Sequence, residues 1–248
     1  MARVGLIGGT GLESLNLLRD TQEIEIQTPY GATSSTFIRG TLNNCELYIL
    51  SRHGREHTIT PTHVNNLANI DAFRQAGCDY ILATSACGSL REEIGRGILV
   101  IPDQFIDFTR FRKNTFFDRF EPGKVSHTAM AEPFSGLLRK RLITSCEELG
   151  LNHHPGGTII TIEGPRFSTR AESVMFRAFG ADVINMSTAP EAILANEAGI
   201  PYAVIALSTD FDSWKHDEAP VTWDDLLKVF NENVKNVTTL LLDVIRKM

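Results

Sequence analysis

The sequence predicts an α/β fold: a single domain spanning residues 1–248, with a mixed, largely parallel central β-sheet flanked by helices. Three observations lead there. Short apolar runs of strand length alternate along the chain with longer segments of helical period. The short runs are apolar at nearly every position, as strands are when helices cover both faces of a parallel sheet. No fixed-period repeat, low-complexity tract or Pro/Gly/Ser linker divides the chain.

The strands are predicted at residues 3–7, 47–51, 80–84, 158–161, 183–185 and 202–207. A helix is predicted over 63–76, where Val64, Leu67, Ile70 and Phe73 recur at helical steps and Gly77 ends the pattern. A second is predicted over 133–149, with Pro133 in its first turn and Gly150 just past its end. A third, over 190–198, closes at Gly199. The last begins near Thr222, with Asp225 three residues on as a short form of the capping box. Trp223, Leu226, Leu227, Phe230, Val234, Val237 and Leu241 then make one apolar stripe. Residues 107–127 are irregular, aromatic and charged, and read as an insertion or a subunit contact.

Composition excludes several functions. With 248 residues, 42% hydrophobic and 22% charged, the chain can bury a core without disulfide or metal staples. A formal net charge of −6 and a pI near 5.7 argue against a nucleic-acid partner. No apolar run approaches the roughly 20 residues of a membrane-spanning helix. Cys45, Cys78, Cys87 and Cys146 lack Cys-x-x-Cys spacing and read as reduced thiols of a cytoplasmic protein.

In open α/β sheets ligands bind beyond the carboxyl ends of the strands, so the strand exits carry the functional reading. The first exit, Gly8-Gly9-Thr10-Gly11, offers backbone N–H groups and a hydroxyl to an anion, and serves equally as a tight turn. It lacks the Gly-Lys-Ser/Thr of a P-loop, and Ser14 replaces the last glycine of a dinucleotide fingerprint. The second, residues 51–57, concentrates Arg52, His53, Arg55 and His57, whose guanidinium forks suit phosphate. His53, His57 and His63 do not follow a His-Glu-x-x-His pattern, and no metal is expected. The third, residues 84–89, supplies small hydroxyl residues, with Cys87 a conceivable nucleophile. Residues 163–168 and 185–191 each leave a strand and enter a helix, the second bringing a helix N-terminus to the site. Asp210 and Asp212 leave the last strand as a carboxylate pair, suited to acid–base work, to a cation or to capping.

Together these segments resemble the trimeric purine nucleoside phosphorylases, within them the branch acting on 5′-methylthioadenosine. The matching motifs are IGGTGL at 7–12, RHGREHT at 52–58, ACGSLREEI at 86–94, MAEPF at 130–134, TIEGPRFSTRAES at 161–173, ADVINMS at 181–187 and TDFDSW at 209–214. The resemblance implies attack of phosphate on C1′ of a purine nucleoside, with release of the base and a sugar 1-phosphate. It implies no cofactor, since inorganic phosphate is a co-substrate, and a place in purine and methionine salvage.

By the same resemblance, Thr10, Arg52, His53, Thr84, Ser85, the Ala86 N–H and Ser187 match the phosphate site. Asp210, Ser187 and His53 match catalytic positions. Phe167, Ser168, Met186, Thr209, Asp210, Asp212 and Leu226 match nucleoside-binding positions. His127 matches a residue reaching the neighbouring subunit's site, which implies a homotrimer. Ser168 and Asp210 stand where 6-oxopurine enzymes carry Glu and Asn, which favours a 6-aminopurine; methylthioinosine or a 6-oxopurine nucleoside is the alternative substrate. Ser187, a choice of the 6-oxopurine branch, and the proline and tryptophan of residues 220–223 depart from the pattern and leave the 5′-substituent open.

Overall fold

The computed structural model describes residues 1–8, 18–218 and 222–248, apart from the side chains of residues 223, 225 and 226. Its strands are β1 (Ala2–Gly8), β2 (Arg19–Ile24), β3 (Phe37–Leu42), β4 (Cys45–Ser51), β5 (Tyr80–Ser89) and β6 (Leu99–Val100). They continue with β7 (Gln104–Phe108), β8 (His153–His154), β9 (Thr158–Ile162), β10 (Val183–Asn185) and β11 (Tyr202–Phe211). The helices are α1 (Asn66–Gln75), α2 (Gly136–Leu149), α3 (Arg170–Ala178), α4 (Thr188–Glu197) and α5 (Trp223–Arg246).

β1, β4, β5 and β11 form the parallel centre of the sheet, with β9 and β10 parallel to each other and β7 parallel to β9. The sheet is mixed because β2–β3–β4 is an antiparallel meander and β10 runs antiparallel to β5. Strand alternation sorts the core into two layers. Tyr202, Val204 and Ala206 of β11 pack with Leu67, Ile70 and Phe73 of α1 and with Ala192 and Leu194 of α4. Ala203, Ile205 and Leu207, one residue out of phase, pack with Leu138 and Leu142 of α2 and Val237, Leu240 and Leu241 of α5. A smaller cluster joins Phe176 of α3 to Ile160, Ile162 and Ile184 of β9 and β10.

Several predicted boundaries move. β5 and β11 run on to Ser89 and Phe211, so the third and last strand exits lie in strand rather than loop. Backbone pairing explains the extension: Gly88 and Ser89 pair with β10, and Asp210 and Phe211 pair with β5 beyond a bulge at Ser208/Asp210. Small and hydroxyl side chains hid this continuation, because they do not extend the apolar pattern. α1 starts at Asn66, since the Asn65 side chain accepts from the Ala68 N–H and caps it; Val64 is extended. α2 starts at Gly136 behind a Ser135 cap, which leaves Pro133 outside its first turn. α4 starts at Thr188, two residues before Pro190. Gly150 and Gly199 do end their helices, at φ of 63° and 71°. The Asp225 half of the expected capping box lies outside the described residues. α3 carries a capping box not foreseen above, between Thr169 and Glu172.

Candidate active site

The carboxyl ends of β4, β5, β10 and β11 open into one cavity of about 620 Å³. Arg52, His53, Thr84, Ser85, Ala86, Phe167, Ser168, Met186, Ser187, Asp210 and Asp212 all line it. Residues as far apart in sequence as Arg52 and Asp212 are thereby brought to one site. Thr10 and the side chain of Leu226 lie outside the described residues. α5 does reach the cavity, through Leu227 and Phe230, three residues apart on the predicted apolar stripe.

At one end hydroxyls and backbone N–H groups gather. Ser187 is the N-cap residue of α4, yet its side chain makes no cap bond, so its hydroxyl is kept for the cavity beside a helix N-terminus. Ser85 Oγ lies 3.3 Å from Ser187 Oγ. Thr84 offers its carbonyl to Arg52 Nη1 at 2.9 Å.

Arg52 is 4% exposed, and much of its guanidinium fork is engaged by Glu191: Nε and Nη2 donate to Glu191 Oε1 and Oε2. Tyr202 donates to the same carboxylate at 2.8 Å. The fork that suits phosphate is thus shared with a buried carboxylate. A buried guanidinium needs a buried counter-charge, and Glu191 supplies it. Nη1 and Nη2 each keep a second N–H beyond these bonds. Arg55 turns outward to Glu23 and Thr36.

Burial, then the adjacent Arg52 cation, push His53 down to about 4, so its ring is neutral at pH 7. Nδ1 lies 2.9 Å from the Ile59 carbonyl, which can only accept; the proton sits on Nδ1 and Nε2 carries a lone pair. The ring packs 4.6 Å from that of His57. His63 Nδ1 meets Thr60 Oγ1 instead.

At the other end stand the two carboxylates. Burial raises Asp210 to about 6, opposed by a hydrogen bond from Thr209 and reinforced by the Asp212 charge. Burial raises Asp212 as well, against hydroxyl donors from Ser168 and Ser173 and the Ser213 N–H. Thr209 is a correction: it does not line the cavity but lies behind Asp210, donating to Asp210 Oδ1 at 2.7 Å. Burial, then the Asp210 charge, hold the Cys87 thiol well above its ordinary range, which removes it as a thiolate nucleophile.

Two glycines leave room for these groups. A Cβ on Gly88 would sit 3.1 Å from Asp210 Oδ2 and 3.3 Å from Asp212 Cβ. Gly164, at φ of 67°, would place a Cβ 2.4 Å from Met186 Sδ.

The irregular segment after β7 supports the site from behind. Arg112, nearly fully buried, donates from Nε to Glu163 Oε1, from Nη1 to the Met186 carbonyl and from Nη2 to the Glu163 carbonyl. Glu163 also accepts from the Arg110 and Phe111 N–H groups. These backbone and Arg112 hydrogen bonds overcome burial and lower Glu163 to about 2. Arg112, Glu191, Gly88 and Asn185 were missed in the sequence. The His127 ring packs edge-on to Phe120 at 5.7 Å and does not line this chain's cavity.

The model of the phosphorylase superfamily matches residues 3–246. The S-methyl-5′-thioadenosine phosphorylase of Xenopus tropicalis is 51% identical over 247 residues, covering 98% of this chain and 88% of that protein. The corresponding Danio rerio protein is 49% identical over 245 residues, with the same coverages. Among solved structures, methylthioadenosine phosphorylase from Schistosoma mansoni in complex with adenine superposes with a TM-score of 0.92 at 38% identity, covering 99% of this chain and 91% of that one. A single-substitution variant of the adenosine/methylthioadenosine phosphorylase of the same organism, in complex with methylthioadenosine, gives 0.91 at 39% identity, with the same coverages.

Proposed function

The chain belongs to the phosphorylase superfamily, and from that premise we infer that it catalyses phosphorolysis of 5′-methylthioadenosine to adenine and 5-methylthioribose 1-phosphate. It is a pentosyltransferase. The observation that carries this reading is one cavity with an anion cradle at one end and an acid raised to about 6 at the other. Relatives at about half identity carry the same activity in their names, and a solved relative holds methylthioadenosine itself.

Phosphate is placed against Ser85, Ser187, the Ala86 N–H, the free N–H groups of Arg52 and the start of α4. Thr10 is assigned to the same cradle on the motif alone. Neutral His53 meets phosphate through its lone pair, as acceptor for a P–OH proton. Held there, a phosphate oxygen attacks C1′ as the bond to the purine breaks, and the bond's electrons move to the base. Positive charge grows on the sugar and negative charge on the leaving purine. Protonated Asp210 donates to N7 and ends as the carboxylate. Asp212, held by Ser168, accepts from the 6-amino group, Phe167 faces the base, Met186 lies beneath the ribose, and Leu227 joins Leu226 near the 5′ group. The 6-oxopurine alternative is not favoured, because no carboxylate stands at position 168.

Active assembly is a homotrimer in this reading. Its support is the apolar exposure of the segment carrying His127: Phe111 is 75% exposed, Val125 65% and Phe120 44%. A cytoplasmic location and a role in methionine and purine salvage follow the same reading. For the location, the support is four unpaired cysteines.

The test is base release from methylthioadenosine, methylthioinosine and inosine, each with and without phosphate. Adenine release that requires phosphate and exceeds hypoxanthine release from either inosine is expected. Dominant hypoxanthine release would overturn the base assignment, and phosphate-independent release would overturn the reaction.

A further inference from the structure

A buried amide, Asn185, borders the cavity beside Ser85 and Ser187 and takes no part in the proposed reaction. We propose that Asn185 is a positioning residue that sets the hydrogen-bond polarity of the cradle, holding the Ser85 and Ser187 hydroxyls as donors toward phosphate. The proposal rests on the phosphorolytic reading of the site.

The orientation of the amide is determined by its other neighbour. Thr161 Oγ1 accepts the Ala189 N–H at 3.0 Å and donates its own proton to Asn185 Oδ1 at 2.9 Å. The amide nitrogen is thereby turned to the opposite side. There Nδ2 lies 2.6 Å from Thr188 Oγ1, 3.0 Å from Ser85 Oγ and 3.4 Å from Ser187 Oγ. The amide has two N–H groups for these three oxygens: Thr188 is the nearest, and the second N–H is shared between Ser85 and the more distant Ser187, so that a serine accepting it has its own O–H to give elsewhere. The Ser85 proton rests on the Ala86 carbonyl at 2.9 Å, and the Ser187 hydroxyl makes no cap bond to α4 and has Ser85 Oγ as a neighbour at 3.3 Å. These acceptors are neutral and weaker than an anionic phosphate oxygen, and both serines border the cavity.

This polarity matters because an anionic phosphate oxygen accepts hydrogen bonds. A hydroxyl presenting a lone pair repels it, and one presenting a proton binds it. A network with a defined direction, built before the ligand arrives, needs no rearrangement on binding. Asn185→Asp keeps the shape and removes the donors. Both serines would then donate backward to the carboxylate and face phosphate with lone pairs, next to an added negative charge. Asn185→Ala adds no charge and lets the hydroxyls rotate.

The experiment measures KM for phosphate and for methylthioadenosine in wild type, N185A and N185D, with adenine binding followed by calorimetry. Losing a buried donor network predicts a phosphate KM raised about tenfold in N185A and about a hundredfold in N185D, with nucleoside KM and adenine affinity within about twofold. Nucleoside and phosphate constants rising together, or a phosphate KM unchanged in both variants, would overturn the proposal. If the Asn185 variants do not fold, T161V carries the test: it frees the amide to turn, and a phosphate KM raised about threefold or more with nucleoside KM held is expected. An unchanged phosphate KM in that variant counts against the proposal equally. Wild-type base release that ignores phosphate would refute the underlying reaction, a result separate from any effect of the variants.

Discussion

Ser168 donates its hydroxyl to Asp212 Oδ2 across 44 residues of sequence, at the carboxylate end of the cavity. The consequence is a division of labour between two acids two residues apart. Asp212 is held by several donors as an acceptor, whereas Asp210 receives the Thr209 hydroxyl and is raised to about 6 by burial. Two neighbouring carboxyl groups with different surroundings can take different roles, one donating a proton and one accepting a hydrogen bond.

Asp210→Asn tests the donor. An amide can hydrogen-bond to N7 but cannot transfer a proton, so kcat should fall by roughly 10²–10⁴ with the melting temperature retained. Because the protonated acid is the active form, kcat/KM in wild type should fall as pH rises through about 6. That descending limb should be absent from the variant's pH profile.

Gly88→Ala tests close packing against the pair. The new Cβ would lie 3.1 Å from Asp210 Oδ2, so the carboxylate must move by a few tenths of an ångström or more. Misplacing a reacting group costs up to about a hundredfold in rate. Steady-state kinetics should show reduced kcat while circular dichroism stays like wild type.

Glu191→Leu tests the buried ion pair. Removing the carboxylate strands the Arg52 guanidinium and the Tyr202 hydroxyl in the core. Breaking a buried pair from one side costs about 3–5 kcal/mol, which urea unfolding would register. Glu191→Gln keeps hydrogen bonding and should lose less.

Acid stability follows from Glu163 and Glu172, both lowered to about 2. Backbone and Arg112 hydrogen bonds outweigh burial for Glu163, and the Arg166 side chain leads for Glu172. Carboxyls with depressed folded values contribute stability that is present above about 4.5 and lost as pH falls toward 2. Asp210 has the opposite sign: its raised value favours the native state at low pH, and that contribution fades as pH rises from about 4 through 6. Calorimetric melting from pH 7 to 3 should therefore show a falling melting temperature below about 4.5, and Glu163→Gln should flatten that fall.

Much of this architecture is legible in the chain. Apolar runs announce β1, β4 and the first halves of β5 and β11, because their alternating residues serve cores on both faces. The second halves of β5 and β11 are not legible, since Ser85, Gly88 and Asp210 satisfy the backbone ladder without an apolar signal. Helix starts shift because Asn65 and Ser135 cap them, and polar caps lie outside any hydrophobic period. The site's front row is visible through its motifs. Asn185, Glu191 and Arg112 are not, because each acts through a partner distant in sequence, and only folding shows which polar side chain is buried against which.

Isotope labelling tests the central claim most directly. Methylthioadenosine is turned over with ¹⁸O-labelled phosphate, and the sugar product is examined by mass spectrometry and phosphorus NMR. Phosphorolysis with attack by phosphate on C1′ predicts 5-methylthioribose 1-phosphate carrying ¹⁸O in the C1′–O–P bridge, with one adenine released per phosphate consumed. A free sugar with oxygen taken from water would contradict it.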